Sequence, residues 1–345
     1  MSFRSTVRNR FIGLLCCLTL TGSCLGQIAY VKKNCLYVLP CTASGAPTKS
    51  AKPFRICKLN PRYTGELALS WNAAGEIELF SSFKLFGVVR PVRGAKIRGS
   101  ADVESDFPPV HSPDGSVAVV FTSYPETKEK PNGPWFEDAY LVRTRDHSQV
   151  LLQRKAQGNA VWSPNGKLLV LPFTSGEEDT LTKFIAYPSL KTRYVLQGFP
   201  GGENTFSPDG RTIALAASGA LEYRPTELYD AETGKKKPSA WPQGGWQTSD
   251  VTSWSPDGRH YLEEYAAQDD MDRWTRHSVA IGDLTTGKSS EIPGTTDAKN
   301  PTYSLDGSHF FWLFGKEGLL ERLATADSSK REVIAKGVTA YAVRR

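Results

Sequence analysis

The sequence predicts an all-β propeller assembled from four-stranded blades, and three observations lead to this fold. A four-residue marker, Ser-Pro-Asp-Gly or a close variant, recurs five times at spacings of 44 to 51 residues. Short runs rich in β-branched and aromatic residues follow each marker, as expected for strands. The sequence lacks a helical periodicity of useful length. Four short strands in a repeat of this length are typical of propeller blades.

Each marker is a turn signal preceded by a large side chain. Pro presets φ at the second turn position, the Asp or Asn side chain caps the turn, and Gly takes the positive φ that follows. We expect the residue before each Ser to pack between neighbouring sheets, and in the first marker this residue is His111. The predicted turn residues are Asp114 and Gly115, Asn165 and Gly166, Asp209 and Gly210, Asp257 and Gly258, and Asp306 and Gly307.

The number of blades follows from the repeat period. At about 47 residues per repeat, residues 27–345 favour seven blades over six. Three strand-like runs lie within residues 27–57, and one more lies at residues 338–343. We predict that these runs share one blade, so that the N- and C-terminal strands pair and close the ring without a free sheet edge.

The repeat resembles the WD40-like repeat of TolB-type propellers, a family that includes the periplasmic protein TolB and the propeller domains of prolyl oligopeptidases. The resemblance covers about residues 60–338 and departs from the pattern at Asn165, at Leu305 and in a degraded copy at residues 70–75. It implies the fold and leaves the activity open. The sequence has no Gly-x-Ser-x-Gly nucleophile motif, which argues against an oligopeptidase.

The first 26 residues have the three parts of a secretory signal peptide. Arg4, Arg8 and Arg10 precede an apolar stretch at residues 11–20, and a run of small residues follows. The apolar stretch is too short for a membrane span, which needs about 20 residues. We therefore predict that residues 1–26 direct export and are then removed.

The cleavage site leaves two alternatives. Cleavage after residue 26 would release residues 27–345 as a single propeller domain in the periplasm or outside the cell. Alternatively, the run that ends in Cys24 resembles a bacterial lipobox, and Cys24 would then carry a lipid anchor. Cys35, Cys41 and Cys57 remain in either form, and an oxidising compartment would permit one disulfide among them.

Charge and histidine spacing exclude some classes of function. The formal net charge is +6, and three of these charges belong to the predicted signal peptide. A charge this small, without a basic cluster, argues against nucleic-acid binding. No two His have the spacing of zinc ligands. We predict no metal site, no cofactor and no catalytic residue. The five His are His111, His147, His260, His277 and His309.

Two predicted loops are longer than a hairpin requires, at residues 124–138 and 266–276. Both join the second and third strands of their blades, so they should emerge on the same face of the ring. Exposed aromatic rings beside charges are typical of partner surfaces, and loops often carry function. The candidate partner-binding residues are Trp135, Phe136, Asp269, Asp270, Asp272 and Trp274.

Taken together, these patterns favour an exported, monomeric, non-catalytic propeller of the bacterial cell envelope that binds a protein or peptide partner. One alternative is a propeller enzyme of the lyase or lactonase type, which would gather acids, His and Arg at the mouth of the central channel. The other alternative is a carbohydrate or cell-wall binder, which would place Trp faces beside carboxamides in a groove.

Overall fold

The computed structural model describes most of the chain beyond the predicted signal peptide. Its 26 named elements are all β-strands, which confirms the predicted all-β class. No helix among the described residues is long and apolar enough to cross a membrane. The described ranges are 26–47, 52–59, 67–71, 75–81, 84–97, 109–125, 135–157, 160–174, 180–200, 205–216, 226–239, 248–268 and 274–344.

The strands form antiparallel units of three or four, called blades 1 to 7 here in chain order. Blade 1 contains β1 (Gly26–Lys32), β2 (Cys35–Cys41), β3 (Phe54–Lys58) and the last strand of the chain, β26 (Val338–Val343). Blade 2 contains β4 (Leu67–Trp71), β5 (Ile77–Ser81) and β6 (Lys84–Val89). Blade 3 contains β7 (Val110–His111), β8 (Val117–Pro125), β9 (Trp135–Arg143) and β10 (Gln149–Ala156). Blade 4 contains β11 (Val161–Trp162), β12 (Leu168–Thr174), β13 (Thr180–Ala186) and β14 (Lys191–Gln197).

The remaining three blades follow the same order of strands. Blade 5 contains β15 (Phe199–Pro200), β16 (Thr212–Ala216) and β17 (Glu227–Asp230). Blade 6 contains β18 (Thr248–Trp254), β19 (His260–Gln268), β20 (Trp274–Asp283) and β21 (Lys288–Glu291). Blade 7 contains β22 (Ala298–Tyr303), β23 (His309–Phe314), β24 (Leu319–Ala324) and β25 (Asp327–Ala335). Blades 3 and 4 are also joined by one backbone pair, Ala156 with Phe173.

The hydrophobic core lies between the blades, because each sheet is too thin to bury both of its faces alone. Six clusters of buried side chains are described, and each one combines residues of two adjacent blades. They join blade 1 to blade 2, blade 7 to blade 1, and the successive blades from 3 to 7. Blades 2 and 3 share no such cluster among the described residues.

The first and last strands of the chain pair with each other in blade 1. The antiparallel register runs from Ile28 opposite Val343 to Lys32 opposite Val338. This pairing matches the predicted meeting of the two ends of the chain. The number of blades in the whole chain and their closure into one ring stay predictions.

The marker turns share one hydrogen-bond pattern, seen first at Ser112. The Gly115 N–H donates to the carbonyl oxygen of Ser112 at 2.8 Å, and Gly115 has φ of 68°. The Ser112 hydroxyl lies 2.6 Å from Oδ1 of Asp114, and the Val117 N–H donates to that hydroxyl oxygen at 3.2 Å. The same contacts recur at Ser163, Ser207, Ser255 and Ser304.

The aromatic residue before the marker Ser is buried against the preceding blade in blades 4 to 7. Trp162, Phe206, Trp254 and Tyr303 occupy this position, each in the cluster shared with that blade. The expectation for His111 was wrong, because its side chain is exposed.

Candidate partner-binding face

The marker turns of successive blades touch each other and so lie at one face of the molecule. A Cβ placed on Gly166 would lie 3.6 Å from Cδ of Pro113 in the preceding blade. The same contact joins Gly210 to Pro164 at 3.5 Å. It is repeated between blades 5 and 6 and between blades 6 and 7. The turns between second and third strands therefore emerge at the opposite face.

Among the described residues, two hairpins on that opposite face have longer strands than the others. The second and third strands of blades 3 and 6 are 9 or 10 residues long, whereas those of the other blades are 4 to 7 residues long. Pairing in blade 3 continues to Pro125 opposite Trp135, and in blade 6 to Gln268 opposite Trp274. Both Trp residues begin the third strand of their blade, so they hold equivalent backbone positions.

Both loops are therefore shorter than predicted, because the flanking strands extend into the ranges 124–138 and 266–276. Trp135, Phe136 and Trp274 belong to strands, since regular cross-strand pairing extends as far as these residues. The structure describes the backbone of these three residues but not their side chains. Asp269, Asp270 and Asp272, together with Cys24, lie outside the described residues.

A polar network lies in the half of the β19–β20 hairpin that is nearer its tip, between blades 6 and 7. Nδ1 of His277 lies 3.3 Å from Oε1 of Glu264, and both side chains are about one-fifth exposed, at 21% and 19%. The Asn300 N–H of blade 7 donates to Oε2 of Glu264 at 2.8 Å. The Tyr341 hydroxyl of blade 1 donates to the carbonyl oxygen of Asn300. The network thus connects three blades at the edge of the candidate face.

Sequence reasoning missed Glu264 and Asn300 and left His277 without a role. Glu264 pairs with Val279 and His277 pairs with Ala266, so the two side chains meet diagonally across β19 and β20. Asn300 joins them from the next blade. No local pattern signals this arrangement, because it depends on cross-strand register and on the packing of two blades.

Two buried carboxylates elsewhere are held by partners within the fold. Glu321 accepts a hydrogen bond from Nε1 of Trp312 at 2.9 Å and lies 3.5 Å from the Arg331 guanidinium. Glu263 accepts a hydrogen bond from the Tyr265 hydroxyl, and burial together with this carboxylate raises the pKa of Tyr265. Because both carboxylates are paired, we assign them to the stability of blades 6 and 7.

The three described cysteines are free thiols in the first blade. Burial, reinforced by the neighbouring Cys35, raises the pKa of Cys57 to about 11. A thiol with so high a pKa is a poor nucleophile at neutral pH. Within the described ranges, His, Cys, Asp and Glu side chains form no group of three that could hold a metal ion.

Comparison with solved structures places the fold. An oligogalacturonate lyase from Vibrio parahaemolyticus superposes with a TM-score of 0.52 and 11% identity, over 89% of this chain and 84% of that chain. The hydrazine synthase of Kuenenia stuttgartiensis superposes with a TM-score of 0.51 and 14% identity, over 77% of this chain and 78% of that chain. The chain is a β-propeller.

Other comparisons give a lower TM-score or no match. TolB from Acinetobacter baumannii matches the propeller with 17% identity and a TM-score of 0.41, over 93% of this chain and 67% of that chain. No protein-family model matches the sequence. No curated protein matches it either. At these identities the likeness concerns the fold, and the function has to be argued from the surface of the propeller itself.

Proposed function

We propose that this propeller is a non-catalytic scaffold that binds a protein or peptide partner through the face carrying its two extended hairpins. The observation that supports the proposal is the matched extension of β8–β9 and β19–β20 on one face, each with a Trp at the start of its third strand. Trp is enriched among the residues that dominate binding energy at protein interfaces. The Asp residues of segment 269–273 would add polar contacts around such an anchor.

The first test compares the parent protein with a Trp135→Ala/Trp274→Ala variant in capture experiments from envelope extract. We expect the parent to enrich a defined protein or peptide that the double variant does not retain. A matched control, Lys167→Ala/Arg259→Ala, alters exposed residues beside the marker turns on the opposite face and should capture the same partner. Equal capture by all three proteins, each with a parental thermal transition, would refute this assignment of the binding face.

The compartment is part of the same proposal. Residues 1–26 would direct export to the periplasm or the exterior, and the mature form would begin at Gln27 or at a lipid-modified Cys24. The intact mass of the mature protein separates these two forms. A mature protein that retains residues 1–26 would contradict export through this segment.

A second candidate function, a propeller enzyme, is favoured by one specific contact. A carboxylate beside a His is a common element of general-base sites. Oε1 of Glu264 lies 3.3 Å from Nδ1 of His277 near the candidate face, and the two atoms do not form a hydrogen bond here. Screening of acidic sugar and lactone substrates tests this candidate. Turnover that His277→Gln abolishes would establish an enzyme, and turnover unaffected by the substitution would exclude this pair as its site.

A further inference from the structure

Four side chains lie on the facing sides of blades 3 and 4 at their outer edges, and this region is called the rim cleft here. Val150 and Gln153 belong to β10, Lys183 to β13 and Val195 to β14. Lys183 and Val195 are cross-strand partners and therefore share a face of blade 4. Across the gap, Nζ of Lys183 donates a hydrogen bond to Oε1 of Gln153. Val150 faces the same gap, because its partner Leu141 lies in the core between the two blades.

Lys183 has an ammonium group without a negatively charged partner among the described residues. Its contacts are the neutral amide oxygen of Gln153 and the ring of Phe173, whose centroid lies 5.4 Å from Nζ. Burial alone lowers the pKa of Lys183. A desolvated cation with only neutral contacts gains free energy when a carboxylate approaches, since the opposite charge offsets the desolvation.

The three outer strands around Lys183 are basic and carry exposed apolar side chains. Val150 and Val195 are 52% and 42% exposed, which is unusual for side chains of this size in this molecule. Strands β10, β13 and β14 contain five Lys or Arg and no Asp or Glu. The outer strand of blade 7, β25, differs because its basic residues are mixed with Asp327 and Glu332.

The backbone of the rim cleft favours recognition by side chains. The register of β10 shifts between Leu151 and Gln153 and again between Gln153 and Ala156. Such irregularities interrupt the ladder of an edge strand and disfavour the addition of a further strand. A ligand therefore has to engage Lys183 and the two valines through its own side chains.

We propose that the rim cleft binds an extended acidic peptide segment. One carboxylate of the peptide accepts a hydrogen bond from Nζ of Lys183, and an apolar side chain beside it contacts Val150 and Val195. Charge complementarity selects this occupant, because every charged residue on the three strands is positive. The site is separate from the hairpin face and does not depend on the partner proposed for that face.

The probe is a fluorescent peptide of alternating Glu and Val, with a Gln-for-Glu version as its neutral match. Fluorescence anisotropy at physiological ionic strength measures the affinity of the full chain. We expect the acidic peptide to bind the parent. The Lys183→Met substitution should lower the affinity for this peptide about tenfold, the typical effect of losing one charge-assisted hydrogen bond. Lys183→Arg, which keeps the charge, should retain most of the affinity.

The matched control is Lys330→Met, which also removes a lysine from an outer strand. Lys330 already has a carboxylate partner, Oδ2 of Asp327 at 3.1 Å, so this variant should bind like the parent. Val150→Ser/Val195→Ser alters exposed positions and should weaken binding severalfold without affecting the fold. The proposal is overturned if Lys183→Met binds the acidic peptide like the parent, or if the neutral peptide binds as tightly as the acidic one. It is also overturned if a short DNA oligonucleotide competes with the labelled peptide as effectively as the unlabelled peptide does.

Discussion

One hydroxyl and one side-chain oxygen organise each marker turn. The Ser255 hydroxyl donates to Oδ1 of Asp257 at 2.6 Å and accepts the His260 N–H at 2.9 Å, while the Arg259 N–H donates to the same Asp257 oxygen at 3.0 Å. In blade 4 the amide oxygen of Asn165 makes the equivalent contacts at 2.9 and 3.0 Å. The turn therefore needs an acceptor at this position and tolerates the loss of its charge.

Replacement of Asp257 tests this requirement at neutral pH. Asp257→Ala leaves the Ser255 hydroxyl and one backbone N–H without their acceptor, and we expect the free energy of unfolding to fall by about 1 kcal/mol. Asp257→Asn keeps the acceptor, as Asn165 does in blade 4, and should lose clearly less. Urea denaturation of the three proteins measures the difference. Equal losses for Ala and Asn would show that the charge matters and the acceptor does not.

The same carboxylates predict how stability depends on pH. Hydrogen bonds from Ser112 and Ser255 hold the pKa of Asp114 and of Asp257 below the ordinary value. Because the folded pKa is depressed, the stability they contribute is fully present above roughly pH 4 and is lost as pH falls through the folded pKa. An Asp114→Asn/Asp257→Asn variant should therefore lose less melting temperature than the parent between neutral and acidic pH. Parallel pH profiles for the two proteins would contradict this assignment.

At the scale of elements, the marker couples blades as well as forming a turn. Pro of one marker packs against Gly of the next, which adds a second reason for these two residue types beyond their φ angles. The Pro–Gly contact was not predicted from the sequence, because turn chemistry describes one segment and the contact involves two segments some 50 residues apart.

Two glycines separate the effect of backbone strain from the effect of contact between blades. Gly307 and Gly115 have almost the same φ, 72° and 68°. A Cβ on Gly307 would lie 3.0 Å from Cδ of Pro256, whereas a Cβ on Gly115 meets nothing within 4 Å. Both substitutions by Ala incur the cost of a positive φ, about 1 kcal/mol.

We therefore expect Gly307→Ala to destabilise the propeller more than Gly115→Ala does. The difference in the free energy of unfolding, measured by urea denaturation, reports the contact between blades 6 and 7. Equal losses for the two variants would show that the contact between the two marker turns does not contribute to stability.

Some features of the structure could be predicted from the sequence and others could not, for physical reasons. Turns and strands depend on neighbours in the sequence, so the positions of the markers and of the strands after them could be predicted from residue types. The Glu264–His277–Asn300 network and the rim cleft around Lys183 depend on cross-strand register and on which blades are adjacent. His111 shows the converse, since its repeat position predicted burial but its side chain is exposed.

At the scale of the whole molecule, the last strand joins the two ends of the chain and also contacts blade 2. The Arg344 guanidinium lies 5.5 Å from the centroid of the Trp71 ring, and its Nη1 donates to Oε1 of Gln27 at 3.2 Å. Nε1 of Trp71 donates to the carbonyl oxygen of Ala342 at 3.3 Å. The strand β26 is therefore held from two sides, by β1 and by blade 2.

Removal of residues 338–345 tests how much the fold depends on this strand. The truncated chain would expose the edge of β1 and the buried side chains of Ile28 and Tyr30, and an exposed apolar edge promotes association between chains. We expect a melting temperature well below that of the parent and a concentration-dependent increase in mass by light scattering. A synthetic peptide of residues 338–345, added in trans, should restore both properties, because it replaces the missing strand. A peptide with Ala340→Lys, which places a charge at a buried position, is the matched control and should not restore them. A truncated chain that melts like the parent would show that blade 1 is stable without its C-terminal strand.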